Sequence, residues 1–256
     1  MQEIKVLDHG FVRLRNISGP TRRICDDPSY DEPFYYAFDA DDTDPANAAR
    51  MSFDNTDSDV VTLADGSTRP RTAQDDHKLA AYLMRNLHTS PFEMVQVWLE
   101  MKLPIFVARQ FVRHRTARLN EVSGRYITLP EEWYIPAVVG GKAKSAKQGQ
   151  EDNLPEHTQD VFKRKLNAQC EASYDLYLEA MADGVAPEHA RMFLHLNHYT
   201  HWLWNQDLHN VMHLLSLRDH GHAQIEAQAY AKAIDQLIRQ HLPRTMELYD
   251  KYRRLP

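Results

Sequence analysis

A strictly alternating stretch between residues 94 and 103 limits the fold of this chain more than any other feature. The apolar residues at every second position are Val95, Val97, Leu99, Met101 and Leu103, with Gln96, Trp98, Glu100 and Lys102 between them. Successive side chains of a strand point to opposite faces, so this period of two predicts a strand with one buried face. Such a strand belongs in a sheet that is packed on one side.

Weaker patterns predict the other elements of secondary structure. Strands are expected over 4–17, as two short strands around His9-Gly10, over 54–72, as a hairpin with Asp65-Gly66 as its turn, and over 197–204. Helices are expected over 74–87, from Pro104 in the first turn to about Arg118, and over 157–183, 187–194, 205–217, 222–241 and 244–253. Residues 26–47 and 139–156 are polar and carry proline or glycine, which predicts loops, the second a mobile one.

The order of these elements indicates the fold class. Strands fall mainly in the N-terminal half of the chain and helices in the C-terminal half. This segregation favours an α+β fold over an alternating βαβ chain. We therefore predict a mixed or antiparallel sheet with helices packed over it.

Composition and charge narrow the classes of function. The formal net charge is −6, which argues against broad binding of nucleic acid but leaves room for one basic pocket. No apolar run is long enough for a membrane span, and the first residues do not resemble a signal peptide. The two cysteines, Cys25 and Cys170, make neither a disulfide framework nor a zinc site by themselves. We expect a cytoplasmic protein in which both cysteines are packing residues.

Positive charge is concentrated in the segment RHRTARLNEVSGRY, residues 113–126. On the predicted helix, Gln110, Arg113 and His114 share one face because they are three and four residues apart. Beyond the helix, Gly124 lets the backbone come close to a ligand and Arg125 offers a guanidinium that suits phosphate.

The arginines of this segment have less specific explanations. The chain contains neither GxGxxG nor GxxxxGK[ST], so any phosphate here is expected to be held by arginines. From composition alone, the arginines are also explained by a solvated helix face or by a set of surface ion pairs. A nucleic-acid-binding arm over residues 109–125 is the next alternative.

The fourteen histidines raise the further alternative of a metal-dependent hydrolase. His209 and His213 are four residues apart, and His195 and His198 are three apart, so each pair could share a helix face. A zinc site usually needs a third ligand, and the sequence contains no HExxH. We therefore expect no metal.

Several motifs, in order along the chain, resemble those of the flavin-dependent thymidylate synthases. The signature of that family is Arg-His-Arg, seven residues and Ser, which is similar to Arg113-His114-Arg115, TARLNEV and Ser123. Further resemblances are NAARMSFD (47–54), HTSPFE (88–93), PIFVARQFVRHR (104–115), NEVSGRY (120–126), YIP (134–136) and LSLRDHGHAQIEAQ (215–228). On these motifs the chain is identified as a member of the family.

The resemblance implies reductive methylation of dUMP to dTMP, with FAD as cofactor, methylenetetrahydrofolate as carbon donor and NADPH as reductant. It implies a homotetramer with active sites shared between subunits, and neither a nucleic-acid nor a membrane partner. It also implies a single domain over 1–256, with extra loop segments near 26–46, 54–72 and 139–156. Because neither cysteine lies in a resembling motif, a covalent cysteine mechanism is disfavoured.

The resemblance also implies roles for individual residues. The implied dUMP contacts are Gln110, Arg113, Glu121, Ser123, Gly124, Arg125, Arg191 and Arg218. The implied FAD contacts are Ser90, Arg113, His114, Arg115, Glu121, Asp207, His209 and His213. Arg218 and Ser123 would be the catalytic residues. Arg218 would favour ionisation at N3 of the uracil ring, which makes C5 more nucleophilic, and Ser123 would orient and polarise the ring. The chain departs from the family at Asp207, His209 and His213, where relatives often carry Asn, Arg and Asn.

Overall fold

The computed structural model describes residues 2–23, 36–53, 60–142 and 150–255. The strands within these ranges are β1 (Gln2–Val6), β2 (Gly10–Arg23), β3 (Tyr36–Asp39), β4 (Val60–Thr62), β5 (Thr68–Pro70), β6 (Gln96–Pro104), β7 (Arg118–Glu121), β8 (Gly140–Lys142), β9 (Gln150–Asn153) and β10 (Tyr199–Asp207). The helices are α1 (Asp44–Arg50), α2 (Ala73–Arg85), α3 (Ser90–Glu93), α4 (Ile105–Phe111), α5 (Glu156–Ala182), α6 (Pro187–Ala190), α7 (Leu208–Arg218), α8 (Ile225–Arg239) and α9 (Pro243–Tyr252). Short 3-10 turns follow α1 and α6, at Met51–Phe53 and Arg191–Phe193.

The main sheet is antiparallel, with strand order β1-β2-β6-β10-β7 and β3 paired with β2. The alternating stretch forms β6, between β2 and β10. Its apolar side chains are fully buried, while Trp98 on the opposite face is 38% exposed. The predicted strand and its buried face are therefore confirmed, and so is the α+β fold class.

Helices cover the buried face of the sheet. One face of α8 is apolar and buried, with residues that recur every three or four positions, among them Ala227, Tyr230, Ala231, Ile234, Leu237 and Ile238. The Tyr230 hydroxyl donates to the Lys102 carbonyl of β6 at 2.7 Å. This contact needs Gly10 at the start of β2, because a Cβ atom there would lie 2.0 Å from the Tyr230 hydroxyl. None of the described helices is long and apolar enough to cross a membrane.

The helix predicted from Pro104 to Arg118 is confirmed at its start and wrong at its end. Pro104 ends β6 and is the N-cap of α4, which begins at Ile105 but already ends at Phe111. The chain then turns and continues as β7, which pairs with β10. The backbone hydrogen bonds of this pairing come from residues more than 80 positions away, so local helix patterns do not show them. Arg113 and His114 consequently lie in the turn after α4 rather than on its face.

The predicted loops are wrong in part. Residues 36–39 form β3 and residues 44–47 begin α1, while 24–35 lie outside the described residues. In the second loop, β8 pairs with β9, and 143–149 lie outside the described residues.

Other predicted elements are confirmed with shifted bounds. Within the hairpin predicted over 54–72, β4 pairs with β5, and Gly66 in the turn has a positive φ of 83° that a glycine readily adopts, while 54–59 lie outside the described residues. The helix predicted over 205–217 starts at Leu208 because β10 continues to Asp207. The short strand predicted over 197–204 is the N-terminal part of β10. His195 and His198 lie in a turn before that strand and do not share a helix face.

Candidate functional site

The C-terminal ends of α4 and α7 meet in a group that we call the inner cluster, formed by Gln110, His114, His213 and Arg218. Arg218 donates from Nε to His114 Nε2 at 3.3 Å and from Nη2 to the Gln110 carbonyl at 3.2 Å. The rings of His114 and His213 meet edge to face, with centroids 6.3 Å apart. The free carbonyls at a helix end favour a cation, so the last turn of α4 helps to hold the Arg218 guanidinium.

Burial lowers the pKa of two side chains in the inner cluster, His114 and Arg218. His114 is 9% exposed, and burial, together with the nearby Arg218 and His213, lowers its pKa to about 4. A neutral His114 with its proton on Nδ1 can accept the Arg218 hydrogen bond. Burial also lowers the pKa of Arg218.

Arg218 lacks a compensating negative charge in the described part of the chain. Its two hydrogen-bond acceptors, His114 and the Gln110 carbonyl, are both neutral. No described carboxylate lies within ion-pair distance of it. A half-buried cation without a partner is costly, and binding of an anionic group would offset that cost.

Gln224, which the sequence analysis did not single out, fixes the side chain of Gln110. Gln110 Nε2 donates to Gln224 Oε1 at 2.5 Å. Gln224 directly precedes α8. The available signal was its position inside the motif LSLRDHGHAQIEAQ at 215–228.

A second group, which we call the outer cluster, comprises Ser123, Gly124, Arg125 and Arg191. The Arg125 backbone N–H donates to Ser123 Oγ at 3.3 Å in the turn that follows β7. A Cβ atom on Gly124 would lie 3.4 Å from Arg191 Cδ, so Arg191 lies directly against this turn. Arg125 is exposed and pairs with Glu188 of α6, with Nε and Oε2 3.1 Å apart.

Helix α5 anchors the turn of the outer cluster through hydrogen bonds to the Leu129 backbone. The backbone N–H of Leu129 donates to the Tyr177 hydroxyl at 3.0 Å, and the Leu129 carbonyl accepts from the Tyr174 hydroxyl at 2.9 Å. The same Cβ atom on Gly124 would lie 3.0 Å from Leu129 Cδ1. The backbone of the turn is therefore fixed, while its charged side chains reach solvent.

Two arginines of the signature are exposed and unpaired within the described ranges. Arg113 and Arg115 make no hydrogen bond or ion pair with a described side chain there. In the same segment, Arg118 donates to Asn205 Oδ1 at 3.3 Å. Surface ion pairing thus accounts for Arg125 but not for Arg113 and Arg115. An unpaired guanidinium group can bind a phosphate oxygen pair through two parallel hydrogen bonds.

The other residues assigned to FAD differ in their burial and in their hydrogen-bond partners. Asp207 is the N-cap of α7, and its carboxylate accepts from the Asn210 backbone N–H at 2.9 Å. His209 is half-buried, and burial lowers its pKa. His213 belongs to the inner cluster, and Ser90 is exposed at the start of α3, which packs against α7. Glu121 accepts from the Thr200 hydroxyl of β10.

The predicted site residues do not all come together through direct contacts. Among the described residues, no hydrogen bond, ion pair or ring contact joins the inner cluster to the outer cluster. One protomer therefore presents two cationic groups that make no direct contact with each other in the described ranges.

The histidine pairs do not assemble with a third ligand in the described ranges. No three His, Cys, Asp or Glu side chains there could hold a metal ion. His195 Nε2 is 2.8 Å from Ser173 Oγ, and the His198 ring stacks on Tyr174 with centroids 6.4 Å apart.

Comparisons with known proteins give consistent results. The family described as thymidylate synthase complementing protein matches residues 36–244. The flavin-dependent thymidylate synthase of Thermus thermophilus is 39% identical over 249 residues, which cover 97% of this chain and 78% of the relative. That of Gluconobacter oxydans is 36% identical over 255 residues, covering 97% of this chain and 73% of the relative.

Solved structures show the same fold. The UMP/dUMP methylase PolB from Streptomyces cacaoi bound with 5-Br dUMP has a TM-score of 0.75 and is 23% identical, covering 98% of this chain and 99% of that chain. The structure of that protein with 5-Br UMP has a TM-score of 0.76 and is 24% identical, covering 98% of both chains.

Proposed function

This chain belongs to the family of flavin-dependent thymidylate synthases, and we propose that it is an FAD-dependent enzyme that methylates dUMP to dTMP. In the finer form of the proposal, methylenetetrahydrofolate donates the carbon and NADPH is the reductant. The uracil ring loses the proton on C5 and gains a methyl group there. The flavin, when bound and reduced by NADPH, would supply the hydride that brings the transferred carbon to the methyl level, and tetrahydrofolate would leave.

The observation that carries this proposal is the uncompensated charge of Arg218. Its guanidinium is half-buried and held by two neutral acceptors, His114 and the Gln110 carbonyl. Loss of the N3 proton would place negative charge on a uracil ring bound beside it. Arg218 would stabilise that charge, and C5 would become a better nucleophile. No step requires a cysteine, and burial raises the pKa of the Cys170 thiol, so that thiol is a poor nucleophile.

The outer cluster is proposed to hold dUMP. Arg125 directly follows the buried Gly124, and Arg191 packs against it, so both arginines lie at this turn. Ser123 would orient and polarise the uracil ring, and Glu121 would contact both nucleotide and flavin. The unpaired Arg113 and Arg115 support binding of the FAD pyrophosphate.

We further propose a homotetramer with active sites that are shared between subunits, as the family resemblance implies. A closed homotetramer would build such sites by symmetry. We further propose that the reaction takes place in the cytoplasm, because a reducing compartment suits a chain with two cysteines.

An omission series tests the proposal. Purified protein is incubated with dUMP, FAD, NADPH and methylenetetrahydrofolate, and dTMP is measured by chromatography. We expect dTMP only when all four are present, and unchanged formation when EDTA is added. If the protein lacks flavin but binds DNA or RNA in a salt-sensitive manner, the nucleic-acid alternative replaces the proposal.

A further inference from the structure

We propose that Glu188 determines how strongly this chain favours anionic ligands: it neutralises Arg125 in the empty site and is displaced by the nucleotide phosphate. This inference rests on the proposed function, because it takes Arg125 as part of a dUMP site. Glu188 itself lies outside the family motifs in the sequence.

The contact is specific within the described part of the chain. Arg125 Nε lies 3.1 Å from Glu188 Oε2, and the guanidinium and the carboxylate have no other described partner. Their side chains are 54% and 47% exposed. The two residues are 63 positions apart in the sequence, so the fold rather than local geometry brings them together.

Glu188 pairs with Arg125 and lies three residues before a second arginine, Arg191. It lies in the first turn of α6, and the 3-10 turn that follows α6 begins with Arg191. Arg191 packs against the turn at Gly124, and Arg125 is the next residue of that turn. Glu188 is thus the carboxylate that pairs with Arg125 at a turn against which Arg191 also packs.

Exposure makes this ion pair easy to exchange. Solvent-exposed pairs are weak, because water and salt screen them. A phosphate monoester carries up to two negative charges and can accept two parallel hydrogen bonds from one guanidinium. It should therefore displace Glu188 from Arg125, and the displaced carboxylate would still repel it.

Charge exchange and a purely structural role predict opposite results. If Glu188 competes with phosphate, its removal should tighten binding of dUMP and leave the uncharged nucleoside deoxyuridine unaffected. If Glu188 instead tethers the turn in its binding geometry, its removal should weaken binding of both.

The test is calorimetric titration of the flavin-loaded protein with dUMP and with deoxyuridine. We expect Glu188→Gln to lower the Kd for dUMP about two- to five-fold at low salt, with a smaller gain at high salt and no change for deoxyuridine. KM for dUMP should fall in parallel, with kcat unchanged. The matched control is Glu179→Gln, which removes the same charge from an exposed glutamate of α5 that has no described side-chain partner. In an Arg125→Ala background, Glu188→Gln should have no effect.

The remaining outcomes overturn the inference in distinguishable ways. An unchanged or higher Kd for dUMP in Glu188→Gln, while Arg125→Ala weakens binding, rejects the role of Glu188 and leaves the proposed function intact. An equal gain in Glu179→Gln rejects it as well, since the effect would be one of net charge. If the unmodified protein does not bind dUMP, or if Arg125→Ala binds it normally, the assignment of the site fails and the inference fails with it.

Discussion

The inner and outer clusters both concentrate positive charge, but they are built in opposite ways. Arg218 of the inner cluster is half-buried, held by His114 and a helix carbonyl, and has no described acid partner. Arg125 of the outer cluster is exposed and paired with Glu188. A group fixed before the ligand arrives suits stabilisation of charge that develops during a reaction. An exposed group with an exchangeable partner suits capture of a charged ligand.

The largest effect is expected from Arg218→Ala. The variant should fold and retain FAD, but kcat should fall about 10²- to 10³-fold, as it does when a preorganised charge-stabilising donor is lost. Arg218→Lys should recover only part of the rate, because an ammonium cannot reproduce both hydrogen bonds in the same plane. Steady-state kinetics and the visible spectrum of bound flavin check this, and near-normal turnover would remove Arg218 from its assigned role.

Arg125→Ala should show that the outer cluster acts in binding of dUMP rather than in turnover. Loss of a charge-assisted hydrogen bond costs about 1.5–3 kcal/mol, so the Kd for dUMP should rise about ten- to a hundred-fold. At saturating dUMP, kcat should change little. Titration calorimetry gives the Kd, and an unchanged affinity would contradict the nucleotide-binding role of the outer cluster.

Acid should lower the stability of the folded chain, because it forces a proton onto the buried His114 of the inner cluster. Burial lowers the pKa of His114 from 6.5 to about 4 in the folded chain. Between these values the unfolded chain binds more protons, so stability is lost as pH falls from about 6.5 towards 4. Replacing His114 with Gln keeps a polar side chain but removes this titration. Urea unfolding at pH 7 and pH 5 should show that the wild type loses about 2 kcal/mol more than the variant. Equal losses would show that His114 is not held neutral.

The smallest effect is expected outside both clusters, from Cys170→Ala. This thiol is buried and 3% exposed, and neither cluster contains a cysteine. Turnover should stay within about twofold of the wild type, with at most a modest loss of stability from the small cavity. Loss of turnover in a folded, flavin-loaded variant would point to a covalent cysteine mechanism instead. Cys25 lies outside the described residues.

The sequence could predict what is encoded in local patterns. Alternation over 94–103 gave β6 with its buried face, and the spacing of apolar residues gave α5, α8 and α9. The helix beyond Phe111 failed because β7 is fixed by pairing with distant β10. Backbone pairing of this kind overrides local helix propensity.

The candidate site was predictable in its residue types but not in its grouping. Local spacing placed His114 with Arg113, whereas the fold places it against Arg218, 104 positions away. Glu188 and Gln224 carry no local signal for their partners, which are 63 and 114 positions distant. Such contacts arise only when the helix ends and turns are positioned by the sheet.

The most direct test of the account is tritium release from dUMP labelled at C5. With FAD, NADPH and methylenetetrahydrofolate present, we expect the wild-type protein to release tritium into water. Arg218→Ala, with its flavin bound, should release almost none. Release that does not depend on flavin, or release by Arg218→Ala at the wild-type rate, would contradict a flavin-dependent methylation driven by the charge of the inner cluster.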